Sequence, residues 1–101
     1  MNGFEEKYMV MLVYDRAIDE EVMDLLSSLE LKYYTKIRDV SGVGRNDPHL
    51  GDSVWPGLNN LTFIITDEEH KEALMGEVQM LQEQFPSVGL RCFVLQIVES
   101  V

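Results

Sequence analysis

Two kinds of periodicity divide the chain. Four runs are rich in β-branched and aromatic residues: YMVMLVY at 8–14, LKYYTKIRDV at 31–40, LTFII at 61–65 and LRCFVLQIV at 90–98. The first is apolar on both faces, as a central strand is. The second alternates Leu31, Tyr33, Thr35 and Ile37 with Lys32, Tyr34, Lys36 and Arg38, as a half-solvated strand does. Between these runs, Ile18, Val22, Leu25 and Leu29 recur at helical spacing, as do Leu74, Val78, Leu81 and Phe85. Asp19, Glu20 and Glu21 place carboxylates where the first helix dipole favours them. Thr66 with Glu69 predicts a capping box opening the second helix, and Pro86 predicts its end.

The order strand, helix, strand, strand, helix, strand is a duplicated split βαβ unit, and it predicts an α+β, ferredoxin-like domain over residues 1–101. Its antiparallel four-stranded sheet carries two helices on one face. The other face is left open. With Tyr34 and central-strand apolar residues on it, that face would expose a large apolar patch, and self-association is the expected remedy. One stretch fits neither period: SGVGRNDPHLGDSVWPGLNN, residues 41–60. Structureless loops longer than about a dozen residues are uncommon in compact domains unless they carry function, so candidate chemistry is sought there first.

Composition narrows the classes. The formal net charge is −10, which argues against a nucleic acid partner, because phosphate-backbone binding needs clustered Lys and Arg. The acidity falls within 15–30 and 67–85, the two helical segments, and reads as two solvated helix faces. No apolar run approaches the roughly 18 residues of a membrane span, and MNGFEEK lacks a secretory pattern; the expectation is a cytoplasmic protein. Cys92 is the only cysteine, so no thiolate cluster forms within one chain. Nothing pairs a nucleophile with a base, and no enzymatic activity is expected.

The loop itself offers three groups. Gly42 and Gly44 would let backbone N–H groups approach an anion, Arg45 would pair with a phosphate or carboxylate, and Lys36 and Arg38 share one side of the strand leading there. Equally, the glycines serve as turn residues and Arg45 as a solvated charge. Asp47, His49 and Asp52 supply an imidazole and two carboxylates, competent ligands for a divalent metal if another subunit completes the set, although Asp47-Pro48 is also a turn signal. Trp55, the sole tryptophan, precedes the turn signal Pro56-Gly57; it either packs the far end of the loop down or stacks on a ligand.

The second strand runs into IRDVSGVGRND, and here the chain resembles the P-II nitrogen-regulatory family, in which the same strand ends in a G-x-G-R segment opening a long T-loop. Gly42, Gly44 and Arg45 match that segment, and element order, loop placement and length extend the resemblance over nearly the whole chain. It implies a homotrimeric, non-enzymatic sensor. Such a protein binds a small-molecule or ion effector between subunits and signals through its loop to a protein partner. For short divergent members that partner is a membrane transporter or efflux system.

The chain departs from the family pattern in three places. Residues 41–60 hold no tyrosine to accept a nucleotidyl group. The connection QFPSVGLRC replaces the glycine- and lysine-rich phosphate loop with one glycine and Arg91, which counts against nucleotide as a cofactor. Asn46 stands where the family has glutamine, which weakens the inference of magnesium and 2-oxoglutarate. The alternative is a CutA-like divalent-metal-binding protein, which shares fold and trimeric state and would place metal on His49.

Overall fold

The computed structural model describes residues 6–43, the backbone at Pro48 and His49, and residues 57–101. Its elements are β1 (Tyr8–Asp15), a 3₁₀ turn (Arg16–Ile18), α1 (Asp19–Ser28), β2 (Thr35–Val40), β3 (Gly42–Val43), β4 (Pro48–His49), β5 (Asn59–Thr66), α2 (Glu68–Gln84) and β6 (Leu90–Gln96). The main sheet has the order β2-β5-β1-β6 and is antiparallel at every pairing. This is the expected α+β, ferredoxin-like arrangement.

Both helices lie on one face. Val10, Leu12 and Tyr14 of β1, Ile64 of β5 and Leu90 of β6 are buried against Ile18, Val22 and Leu26 of the first helical segment and Leu74, Val78 and Leu81 of α2. The first helix is rotated slightly from the expected stripe: Leu26 is at its centre, while Leu25 and Leu29 flank the core half-buried. Fully burying each aliphatic side chain contributes about 1.5–3 kcal/mol.

Two boundaries differ from expectation for local reasons. β2 begins at Thr35 rather than Leu31, because residues 29–31 are used to stop α1. Glu30 adopts φ 58°, its N–H bonds to Ser27 O at 3.0 Å, and the Leu31 N–H bonds to Leu26 O at 2.9 Å. This is a Schellman stop with glutamate in the place usually held by glycine. The predicted capping box is also replaced. The N-cap of α2 is Asp67, whose carboxylate accepts from the His70 N–H at 2.8 Å, whereas Thr66 is the buried last residue of β5. Asp67 holds an extended backbone that brings its carboxylate onto the first turn, which stabilises the helix by about 1 kcal/mol. His70 turns its ring back onto the same carboxylate, Nδ1 to Oδ1 at 2.8 Å.

The open face is apolar. Met9, Met11 and Val13 of β1 pair with Ile65, Phe63 and Leu61 of β5. Met9 and Met11 also pair with Leu95 and Phe93 of β6, and Ile37 pairs with Leu61. Ile37, Ile65, Phe93 and Leu95 each remain 42–47 % exposed. Tyr34, expected beside them, lies ahead of β2 with its ring 6.0 Å from the Lys36 ammonium. Among the described residues no helix is long and apolar enough to cross a membrane.

Candidate functional site

Strand β5 settles where the polar chemistry collects. It alternates Asn60, Thr62, Ile64 and Thr66 with Leu61, Phe63 and Ile65. Hydrophobicity alone would bury the second set. The register with β1 does the opposite, placing Asn60, Thr62 and Thr66 under the helices at 5 % exposure or less. Buried polar groups need partners, and the partners come from β1, α1 and β2.

Asp19, the first residue of α1, is the hub. Its Oδ1 accepts from the Tyr14 hydroxyl at 2.7 Å and from Asn60 Nδ2 at 3.1 Å, and its Oδ2 accepts from Lys36 Nζ at 2.9 Å. The Tyr14 hydroxyl also shares a 2.9 Å hydrogen bond with the Thr62 hydroxyl. Burial would raise the Asp19 carboxyl, but the hydrogen bonds from Tyr14, Lys36 and Asn60 together outweigh it and hold the group below the ordinary carboxylate range. Burial pushes the Tyr14 hydroxyl well above the usual tyrosine value, and the nearby Asp19 charge adds to the shift.

The network reaches the loop through a break in β2. Its register with β5 shifts between Ile37 and Val40, and Asp39 adopts φ 57°. Left-handed backbone is uncommon for a residue with a side chain, although aspartate is among those that tolerate it. Two contacts hold it: the Asp39 N–H donates to Asn60 Oδ1 at 3.0 Å, and the Asp39 carboxylate pairs with Arg16 Nη1 at 3.0 Å. The Arg16 N–H in turn donates to Leu58 O at 3.0 Å, so both ends of the long loop are tied to the turn after β1.

Beyond Ser41 the chain forms a ladder. Gly42 pairs with His49 and Val43 with Pro48, antiparallel. The segment expected to be without regular structure therefore carries a short hairpin, and its last two residues begin β5. Strands of two residues have no period to read, which is why the pattern missed them. A Cβ at Gly42 would stand 3.1 Å from Asn59 Nδ2, so the glycine serves the close passage of the loop root over β5.

The predicted site residues separate accordingly. Lys36 is committed to Asp19, with a side chain only 10 % exposed. Arg38 is exposed at the break in β2 and makes no ion pair among the described residues. Gly42 lies at the loop root, and His49 is opposite it in the hairpin backbone. Gly44, Arg45, Asn46, Asp47, Asp52 and Trp55 fall outside the described residues, so the metal set and the tryptophan contact fall there too. Among the described residues no group of three His, Cys, Asp or Glu gathers as a metal site. Arg91, expected in the connection before β6, is the second residue of that strand and faces the open side opposite Val13, 5.4 Å over the Phe93 ring. Register puts the loop root and Arg91 at one end of the sheet, since Val40 and Asp15 both pair with Asn59 and Tyr14 pairs with Leu90. Arg16, Arg38 and Arg91 thus share an end that Arg45 follows in sequence.

No model of a protein family matches the chain, and no curated protein is similar to it. Solved structures are. CPII from Thiomonas intermedia K12, bound to ADP and bicarbonate, superposes with a TM-score of 0.73 at 22% identity, over 90% of this chain and 85% of that one. A putative PII-like signaling protein from Thermus thermophilus gives 0.67 at 20% identity, covering 90% and 86%. A DUF3240 family protein from Shewanella baltica gives 0.69 at 14% identity, covering 95% and 94%. The chain therefore has the fold of the PII-like proteins.

Proposed function

We propose that this protein is a PII-like, non-enzymatic sensor that binds a small anionic effector at the root of its long loop and acts through protein–protein contact. The observation that carries the reading is positional. Gly42, which opens the G-x-G-R segment, closely follows the break in β2 and begins the β3–β4 hairpin, on a fold similar over 90% of its length to a protein holding ADP and bicarbonate. Gly42 and Gly44, Arg45 and Asn46, with Arg38 behind them, form the anion contact, and Trp55 closes it from the far end. Lys36 acts beneath the site through Asp19. In a chain of net charge −10, Arg38 and Arg91 at this end of the sheet supply positive charge for such a ligand, while Arg16 is paired with Asp39.

Self-association belongs to the same reading. β5 turns its polar residues inward and its apolar ones to the open face, an arrangement that costs buried hydrogen bonding and becomes favourable when that face is covered. A homotrimer covers it and places loop roots beside neighbouring subunits. The protein acts in the cytoplasm on a protein partner, a membrane transporter or efflux system.

Calorimetric titration with ADP, AMP, bicarbonate and divalent zinc, nickel and copper tests the reading. Binding of a nucleotide or bicarbonate is expected, and Arg45→Ala should weaken it at least about tenfold, the effect of one charge-assisted pair. Silence from every anion would refute it. Metal uptake abolished by His49→Ala would favour the CutA-like alternative with Asp47 and Asp52 as further ligands.

A further inference from the structure

The polar network under α1 does more than satisfy buried groups. A lysine–carboxylate pair beneath a helix costs desolvation that an apolar pair of similar volume would avoid. Here that pair also fixes the carboxylate that orients Asn60. Asn60 is 4 % exposed and has both ends of its carboxamide committed: Nδ2 donates to Asp19 in α1, and Oδ1 accepts from the Asp39 N–H in β2. Asp39 is the left-handed residue at which β2 leaves its register with β5, three residues before the hairpin. Without that acceptor its N–H loses its partner and the break in β2 loses its main support on the sheet. Arg16 remains as a second, exposed clamp.

Resting on the proposed function, we propose that Asn60 is a positioning residue for the loop root. Its carboxamide bridges the N-terminus of α1 to the left-handed turn at Asp39, so the direction in which the β3–β4 hairpin leaves the sheet is set by Asp19. The bridge couples α1 to the segment that holds the effector. A hydrogen-bonded chain of this kind has two arrangements, bridge made and bridge broken, which is what a binding-linked change in the loop root needs.

Hydrogen–deuterium exchange on the full chain without any ligand tests the proposal. Asn60→Ala removes the bridge, Asn60→Ser leaves a hydroxyl too short to span both partners, and Asp39→Gly removes only the Arg16 clamp, since its N–H still donates to Asn60 Oδ1. In Asn60→Ala and Asn60→Ser, exchange over residues 40–49 should rise at least tenfold while β1 and β6 keep their protection; Asp39→Gly, with the bridge intact, should rise by less. Unchanged exchange over 40–49 would overturn the proposal. So would an increase spread evenly over the sheet, which is a loss of stability alone. If Asn60→Ala does not fold, Asn60→Ser decides by the same readout. The exchange is read without effector, so its failure would leave the calorimetric result standing, and failure of the titration would leave the bridge standing.

Discussion

Met11→Asp should convert the proposed homotrimer to a monomer while leaving it folded. Met11 is at the centre of the open sheet face, between Phe63 on β5 and Phe93 on β6. On an uncovered face, a carboxylate there would reach water and cost little. Inside an apolar subunit interface it is stripped of water, and Arg91, over the neighbouring Phe93 ring, offsets that only in part. An incompletely compensated charge in such a setting costs several kcal/mol, and even about 3 kcal/mol lowers an association constant more than a hundredfold. Sedimentation equilibrium should show wild-type protein at the mass of three chains and the variant at one, with the circular dichroism of the two indistinguishable. Equal masses for both would remove the interface from this face.

Asp19→Ala should be the most destabilising single change among the polar residues, by about 3 kcal/mol, with a fall in melting temperature of roughly 10–20 °C for a domain of this size. The substitution leaves the Lys36 ammonium, the Asn60 carboxamide and the Tyr14 hydroxyl without their acceptor, and a buried lysine stripped of its carboxylate is the costly part. Removing the carboxylate also changes the pH profile. The Asp19 carboxyl is held below its ordinary value, so its contribution is complete above about pH 4 and is lost as the pH falls through the lower folded-state value. The stability gap between wild type and variant should accordingly be constant from about pH 5 to 8 and close in more acid solution. A gap that widened in acid would show that the carboxylate is not held as described.

How much of this was legible beforehand differs from element to element. β1, α1, α2 and β6 follow from period alone, because each has one face or two in the core and the pattern records it. The start of β2 was misplaced because Glu30 and Leu31 look like ordinary sequence and only their backbone reveals the helix stop. The cap of α2 moved from Thr66 to Asp67 because both carry N-cap acceptors, and strand register, which buries Thr66 at the end of β5, decides between them. The hub was out of reach in a different way. Asp19 read as one more N-terminal carboxylate and Lys36 as a candidate ligand contact, yet the pair joins residues 17 positions apart and Asn60 lies 41 from Asp19. One clue was available: β5 alternates Asn60 and Thr62 with Leu61 and Phe63 in a strand placed second in the sheet. A central strand with a polar face has to hydrogen-bond that face or abandon burial, so those two residues already pointed to a buried polar network. The loop was visible as a break in both periods, with its G-x-G-R root, but its hairpin was not, since main-chain pairing of two residues leaves no side-chain signature.

On the proposed function, a small anion binds at the loop root. Amide chemical-shift mapping tests it most directly, with ADP and bicarbonate titrated into isotopically labelled protein. Saturable shifts are expected at Arg38, Asp39, Gly42 and Val43, extending through Asn60 to Asp19, with α2 undisturbed. Saturable shifts confined to the α1–α2 surface, or no shift at any ligand concentration, would contradict it.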